Sequence, residues 1–321
     1  MRSTFFLLFT LFITAVKAQE FPTRPVTIIL NLAVGTGQDI VARTYGERLA
    51  QSLGKPVLID NKPGAFSAVA INTLKAAPAD GHTLLVLTSA AMAIQPSVMK
   101  QLSYDPAKDF VPVALYLKSP FVLVVPPSLP VTSVPEFIEY AKARPGKLSF
   151  SSTGPGSAPF LAMELLKQTF NLDLVHVPYK NTGQMVIDIA AGRIEAAFAE
   201  AGATQSLIRD GRLKALAVSS LVRFDTLTDV PTMAEASGKA DFEAVSWHVL
   251  LAPAGVPRPI IERLHAEMSR IVKEPAVQER IVSTGLIPIE PLSIEGAQKY
   301  IAAEAEKWGQ LVGKLGLAGS Q

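Results

Sequence analysis

Apolar and polar positions along this chain follow two alternating periods. Val26–Leu32, Val57–Ile59 and Thr83–Leu87 are short aliphatic runs bounded by turn formers, which predicts strands. Between the first two, Ile40, Val41, Tyr45, Leu49 and Leu53 recur at helical spacing and stop at Gly54, which predicts a helix over Gln38–Leu53. Ser67–Ala76 reads as a second helix, and the third strand ends at Thr88-Ser89. Val111–Tyr116 and Phe121–Val125 break this rhythm. They are two strand-like runs separated by Lys118-Ser119-Pro120 and followed by Pro126, Pro127 and Pro130. The rhythm then restarts. A helix is capped by Thr132 or Ser133, and strands are predicted at Leu148–Ser151, Leu174–Val177, Ala196–Phe198 and Leu213–Val218. Helices are predicted from a glycine turn through Leu166 and over Gly183–Ala191. Val245–Ala252 is apolar, and the remainder reads as helical: Ile260–Val272, Ala276–Ser283 and a last helix opening at Ser293. Tyr300, Ile301, Trp308, Leu311 and Leu315 form a stripe on that last helix, which suits one lying along the outside of a lobe.

Strand–helix alternation in two blocks predicts an α/β protein with two lobes, each a mainly parallel sheet flanked by helices. The chain leaves the first lobe near residue 118 and returns near 245. The expected organisation is therefore 19–118 plus 245–321 for lobe 1 and 119–244 for lobe 2. Two crossings make a hinge, and a ligand held between the lobes is the natural use of one.

Residues 1–18 read as a leader. Arg2 supplies the positive end, and Phe5–Val16 is an apolar run of about 12 residues, short of the ~20 that span a bilayer. Val16-Lys17-Ala18 places small residues for a cut after Ala18. The mature chain is then expected in the periplasm. Losing Arg2 and Lys17 takes the formal net charge from +2 to zero, so no basic surplus points to nucleic acid. The chain has no cysteine, which removes disulfides, thiolate metal sites, cysteine nucleophiles and a lipid-anchored N-terminus.

Two glycine turns carry the candidate chemistry. Gly35-Thr36-Gly37 and Gly154-Pro155-Gly156 each follow a strand and precede a helix, the position at which backbone N–H groups collect around an anion. With the hydroxyls of Thr36, Ser89, Thr153 and Ser157 they offer neutral donors, which suits reversible capture of a carboxylate. A strand, Gly-x-Gly, a helix and Asp60 imitate a dinucleotide fingerprint, but Ile40 stands where the third glycine or alanine belongs. Gly156-Ser157-Ala158-Pro159 lacks the serine-hydrolase frame, His265-Ala266-Glu267 lacks a cysteine pair downstream, and no phosphate loop or His-Glu-x-x-His is present. No enzyme, metal or cofactor is implied.

Several ordered segments carry a resemblance: Phe21-Pro22-Thr23-Arg24-Pro25, Asp60-Asn61-Lys62-Pro63-Gly64-Ala65, Ala79-Asp80-Gly81-His82, Tyr104-Asp105-Pro106, His176-Val177-Pro178-Tyr179-Lys180 and Leu251-Ala252-Pro253-Ala254-Gly255. Over the whole mature chain they resemble the Bug family, the extracytoplasmic receptors of tripartite tricarboxylate transporters. The resemblance implies a type II periplasmic binding (Venus flytrap) fold. It also implies capture of a small organic carboxylate by a monomer, and delivery to a pair of membrane permease subunits. A sensing receptor, or less readily an exported enzyme using the same cleft, are the alternatives. The first loop carries over as Val34, Gly35, Thr36, Gly37, Gln38 and Asp39, with Ser89 on a third loop and Thr153, Gly156 and Ser157 on lobe 2. Tyr179, Ala199 and Glu200 complete the expected site. The chain departs from the family's Pro-Gly-Gly-Ser loop at Thr36 and Gly37, and from its Gly-Gly-Asn at Phe66-Ser67-Ala68. Ala199 stands where relatives often carry an acid, which argues against an amino-acid ligand. These departures tilt the expected ligand toward a smaller or less charged acid than citrate.

Overall fold

The computed structural model describes residues 21–289 and 292–321; the leader expected over residues 1–18 lies outside the described residues. Strand β1 (Val26–Leu30), helix α1 (Gly37–Leu53) and strand β2 (Val57–Asn61) open the fold. α1 stops where Gly54 turns left-handed at φ 68° and donates its N–H to Ala50 O. α2 (Ala68–Lys75), β3 (Thr83–Thr88), a π-helical turn (Ala90–Ile94) running into α3 (Gln95–Val98) and the long strand β4 (Phe110–Ser119) follow. After Pro120, β5 (Phe121–Val125) begins in a different sheet. Next come α4 (Val134–Lys142), β6 (Leu148–Ser152), α5 (Ala158–Phe170), β7 (Leu174–Pro178) and α6 (Thr182–Ala190). β8 (Ala197–Glu200), α7 (Ala201–Arg209), β9 (Lys214–Val218) and the short α8 (Met233–Ser237) complete that block. β10 (Ser246–Pro253) returns to the first sheet, and α9 (Arg258–Val272), α10 (Pro275–Ser283), β11 (Ile287–Pro288) and α11 (Ile294–Lys314) finish the chain.

The first sheet has the order β11-β4-β10-β3-β1-β2, with β1 parallel to both neighbours and β10 antiparallel to β3 and β4. In the second block β5 runs antiparallel between β8 and β9, and β6 pairs with β7 in parallel. A parallel bridge from Phe150 to Ala196 joins these two pieces. The resulting order, β7-β6-β8-β5-β9, repeats β2-β1-β3-β10-β4. Within these matching five strands the one inverted strand is the strand that has just crossed over from the other sheet; the short β11 adds a second antiparallel strand at the edge of the first.

β1 and β3 are buried on both faces, as strands under two helical layers must be. On one side Leu30, Leu84 and Leu250 pack with Val41, Tyr45 and Leu264 of α1 and α9. On the other, Ile29, Leu85 and Val249 join Ile71, Trp308 and Leu311, and this core continues into Leu123, Phe150 and Phe198 of the second sheet. α11 therefore does more than cover one lobe. It packs on the π turn, α3 and β4, and reaches α5 in the other block. Glu304 anchors it: one carboxylate oxygen accepts the indole N–H of Trp247 at 3.1 Å and of Trp308 at 3.0 Å.

The structure also holds elements beyond the predicted set. Residues 90–98 are apolar almost all round, so they carry neither period, and they form the π turn and α3. α8 announces itself by a capping box between Thr232 and Glu235. α2 begins at Ala68 because Ala65, Phe66 and Ser67 all take positive φ (47°, 50° and 73°) and cannot continue a right-handed helix.

Replacing Glu304 by Ala leaves two buried indole donors without an acceptor. At about 1–3 kcal/mol for each unsatisfied group, the urea midpoint should fall clearly while the slope of the transition stays unchanged.

Candidate ligand-binding site

The loop after β1 is shaped by Asp39. Its carboxylate accepts the Gly35 N–H at 3.0 Å, the Asn61 side-chain amide at 3.0 Å and the Arg43 guanidinium at 3.1 Å. Thr36 caps α1, accepting the Asp39 N–H at 3.3 Å and donating to Ala33 O at 3.0 Å. Burial pushes the Asp39 carboxyl up, but the hydrogen bonds from Arg43, Gly35 and Asn61 outweigh it and hold the group below its ordinary 3.8. The Gly35 N–H is thus committed to the loop itself. The first-turn N–H groups of Gly37 and Gln38 have no intrahelical acceptor. Gly37 also has a steric role, since a methyl there would lie 3.2 Å from Thr284 O.

The second glycine turn is closed in a similar way. Gly154 sits at φ 111°, a conformation that favours glycine. Its carbonyl accepts the Ser157 hydroxyl at 2.6 Å and the Ser157 N–H at 3.0 Å. Ser152 Oγ accepts the Gly154 N–H at 3.1 Å and contacts His176 Nε2 at 2.8 Å. Burial, and then the charge of Lys167, lower the His176 pKa, so this imidazole is a neutral brace.

Between the two sheets lies a cavity of about 210 Å³. Leu32, Thr88, Ala90 and Ser246 line it from the first sheet, and Thr153, Ser157, Thr182, Phe198, Ala199 and Glu200 are among those lining it from the second. Ala90 opens the π turn, Ala158 opens α5, Thr182 opens α6, and Glu200 immediately precedes α7. Helix starts therefore converge on the cavity and present N–H groups and the positive ends of their dipoles. No Lys, Arg or His is among the described residues that line it. Glu200 is the single ionisable group. It keeps partial exposure yet is densely surrounded by protein, and that burial raises its pKa, offset in part by the nearby Gln38 side-chain amide.

A neighbouring cavity of about 460 Å³ shares Glu200 and is lined by Gly35, Thr36, Gly37 and Gln38, together with Gly202 of α7 and Arg280 of α10. The expected site thus falls into two compartments meeting at Glu200. Gly35–Gln38 line the larger, and Thr153, Ser157 and Ala199 the smaller. Val34 is 71% exposed and lines neither. Asp39 is the buried brace described above. Ser89 is fully buried, bonded at 3.0 Å to the hydroxyl of Ser246, while its neighbours Thr88 and Ala90 face the cavity. Tyr179 lines neither compartment; its hydroxyl donates to Asp188 at 2.7 Å. Gly156 is buried, and the closest atom to a methyl placed on it is Cε1 of Phe66, at 3.8 Å. Thr88, Thr182 and Ser246 were not among the expected residues. Each is a polar residue at the end of a strand or the start of a helix, a signal that marks the cleft only once the topology is known.

Two mixed sheets, each completed by a strand from the other's crossing, with helix starts converging on the gap between them, define the two-lobed class of periplasmic binding proteins. The chain belongs to the tripartite tricarboxylate transporter family receptors, whose family profile matches residues 41–317. It is 33% identical to BugT of Bordetella pertussis over 302 residues, covering 94% of this chain and 92% of BugT. The structure of Rpa4515 of R. palustris with adipate superposes with a TM-score of 0.81 at 32% identity, over 93% of this chain and 99% of that one. The periplasmic binding protein BugD superposes at 0.78 and 30% identity, over 93% and 99%.

Asp39 contributes stability that is complete above the unfolded value of 3.8 and is lost as pH falls through its lower folded value. Asp39→Asn should therefore be less stable than the parent at neutral pH. The gap in denaturant midpoint should close as the pH is taken below about 3.8.

Proposed function

We propose that this protein is a periplasmic receptor that closes two lobes, residues 19–118 with 245–321 and residues 119–244, on one small organic carboxylate. It then delivers that acid, as a monomer, to the permease subunits of a tripartite tricarboxylate transporter. The observation that carries this reading is the cavity lined by helix starts and hydroxyls without a cation. Neutral dipoles hold a carboxylate and release it without leaving a buried charge unpaired. The adipate-bound relative supports the ligand class.

A catalytic use of the cleft has little chemistry to draw on. The Ser152–His176 pair is the nearest approach to a nucleophile and base, but Ser152 is fully buried and its hydroxyl is engaged with the Gly154 N–H. No cluster of metal-binding side chains occurs among the described residues.

A thermal-shift panel of purified protein against mono-, di- and tricarboxylates tests the reading. A ligand at a hundred times its Kd should stabilise the fold by about 2.7 kcal/mol, with one site by calorimetry and no product formed. Failure of every acid to raise the midpoint of ligand-free protein overturns it. N-terminal sequencing of the exported chain is expected to begin at Gln19.

A further inference from the structure

We infer that Phe66 is the specificity determinant of this cleft, selecting carboxylates whose charged end is followed by an apolar, planar body. The inference rests on the capture reading above.

The Gly64–Ser67 turn holds a large apolar side chain where an ordinary turn would hide it. Gly64, Ala65, Phe66 and Ser67 all have positive φ, and three of them carry the Cβ that makes this region unfavourable. Local bonds lock the turn: the Ser67 N–H donates to Gly64 O at 3.0 Å, and the buried Ser67 hydroxyl accepts the Asn31 amide at 2.8 Å. Phe66 is left 55% exposed. Its ring nevertheless has a partner across the gap, because Cε1 is the atom closest to a methyl placed on Gly156. A ring from a loop of the first sheet thus lies against the glycine turn of the second, whose Thr153 and Ser157 line the smaller cavity; the ring itself stands at the edge of that turn and lines neither cavity.

The cavity that the turn's Thr153 and Ser157 line is apolar over much of its wall. Leu32, Phe121, Met185, Phe198 and Ala199 supply apolar wall, and Glu200 is its single ionisable side chain. A ligand with several buried charges finds no countercharge there, whereas one carboxylate at the helix starts with an apolar body toward Phe66 satisfies both ends.

The test is calorimetry of the mature protein with benzoate, adipate and citrate, for the parent, Phe66→Leu and Phe66→Asn. Benzoate should bind the parent more tightly than citrate. Phe66→Asn should weaken benzoate about tenfold and leave adipate within about twofold, with Phe66→Leu intermediate. Asn accepts positive φ, so the melting temperature of the ligand-free Phe66→Asn protein should hold or rise while benzoate affinity falls. A merely structural role for Phe66 would lower both. If acids bind but affinities do not depend on Phe66, or all change together, the inference fails and the capture reading stands. If no acid binds the parent, both fail.

Discussion

The rest of the molecule depends on one constraint: each sheet is completed by a strand that has just arrived from the other. β4 runs through Ser119 and Pro120 into β5, and β10 begins at Ser246, which pairs with Ser119. The two crossings therefore lie side by side. Ser219 ties the second block to both: it exchanges hydrogen bonds with Phe121 through its hydroxyl and N–H, and its carbonyl accepts the Ala244 N–H. Lys118 and Glu243 add an ion pair of 2.7 Å across the same point. A hinge made of two adjacent strands permits rotation of the lobes but little sliding. It also brings the loops at the carboxyl ends of the parallel strands in both sheets to one gap.

The smaller compartment is tuned by what surrounds it rather than by cations within it. Asp39, Arg43 and Asn61 sit behind the first loop, and Ser152 with His176 behind the second. These groups spend their hydrogen-bonding capacity on holding backbone in place. In the smaller compartment the groups left for a ligand are peptide N–H donors, hydroxyls and Glu200; the larger adds Gln38 and Arg280. Glycine serves this arrangement chiefly by allowing close approach. A methyl on Gly285 would meet Gly202 N at 2.8 Å, so these two segments of opposite lobes touch backbone to backbone, and a methyl on Gly37 would crowd Thr284.

The layering of the fold was legible because strands buried on both faces must read as continuous apolar runs, and helices on their surface must show a stripe. The change of sheet after β4 coincides with Pro120, which interrupts both periods, whereas β10 enters the first sheet at Ser246, inside the apolar run Val245–Ala252, with no break to mark it. The site was legible only in part. Glycine turns mark where backbone N–H groups collect, but not which of them are already used; the Gly35 N–H belongs to Asp39, a partner four residues on. Ser89 and Thr88 are neighbours of similar chemistry, and strand alternation alone decides which one faces the cleft. The left-handed Ala65–Ser67 turn has no local signature, because non-glycine residues adopt it against their own preference.

Glu304 has a consequence of another kind. The chain has two tryptophans, and both indoles donate to the same carboxylate oxygen. One of them, Trp247, stands on the strand that has just crossed back, and the other on the last helix. All of the protein's indole emission therefore originates at a single buried point, so one spectrum reads whether α11 is seated on the returning strand.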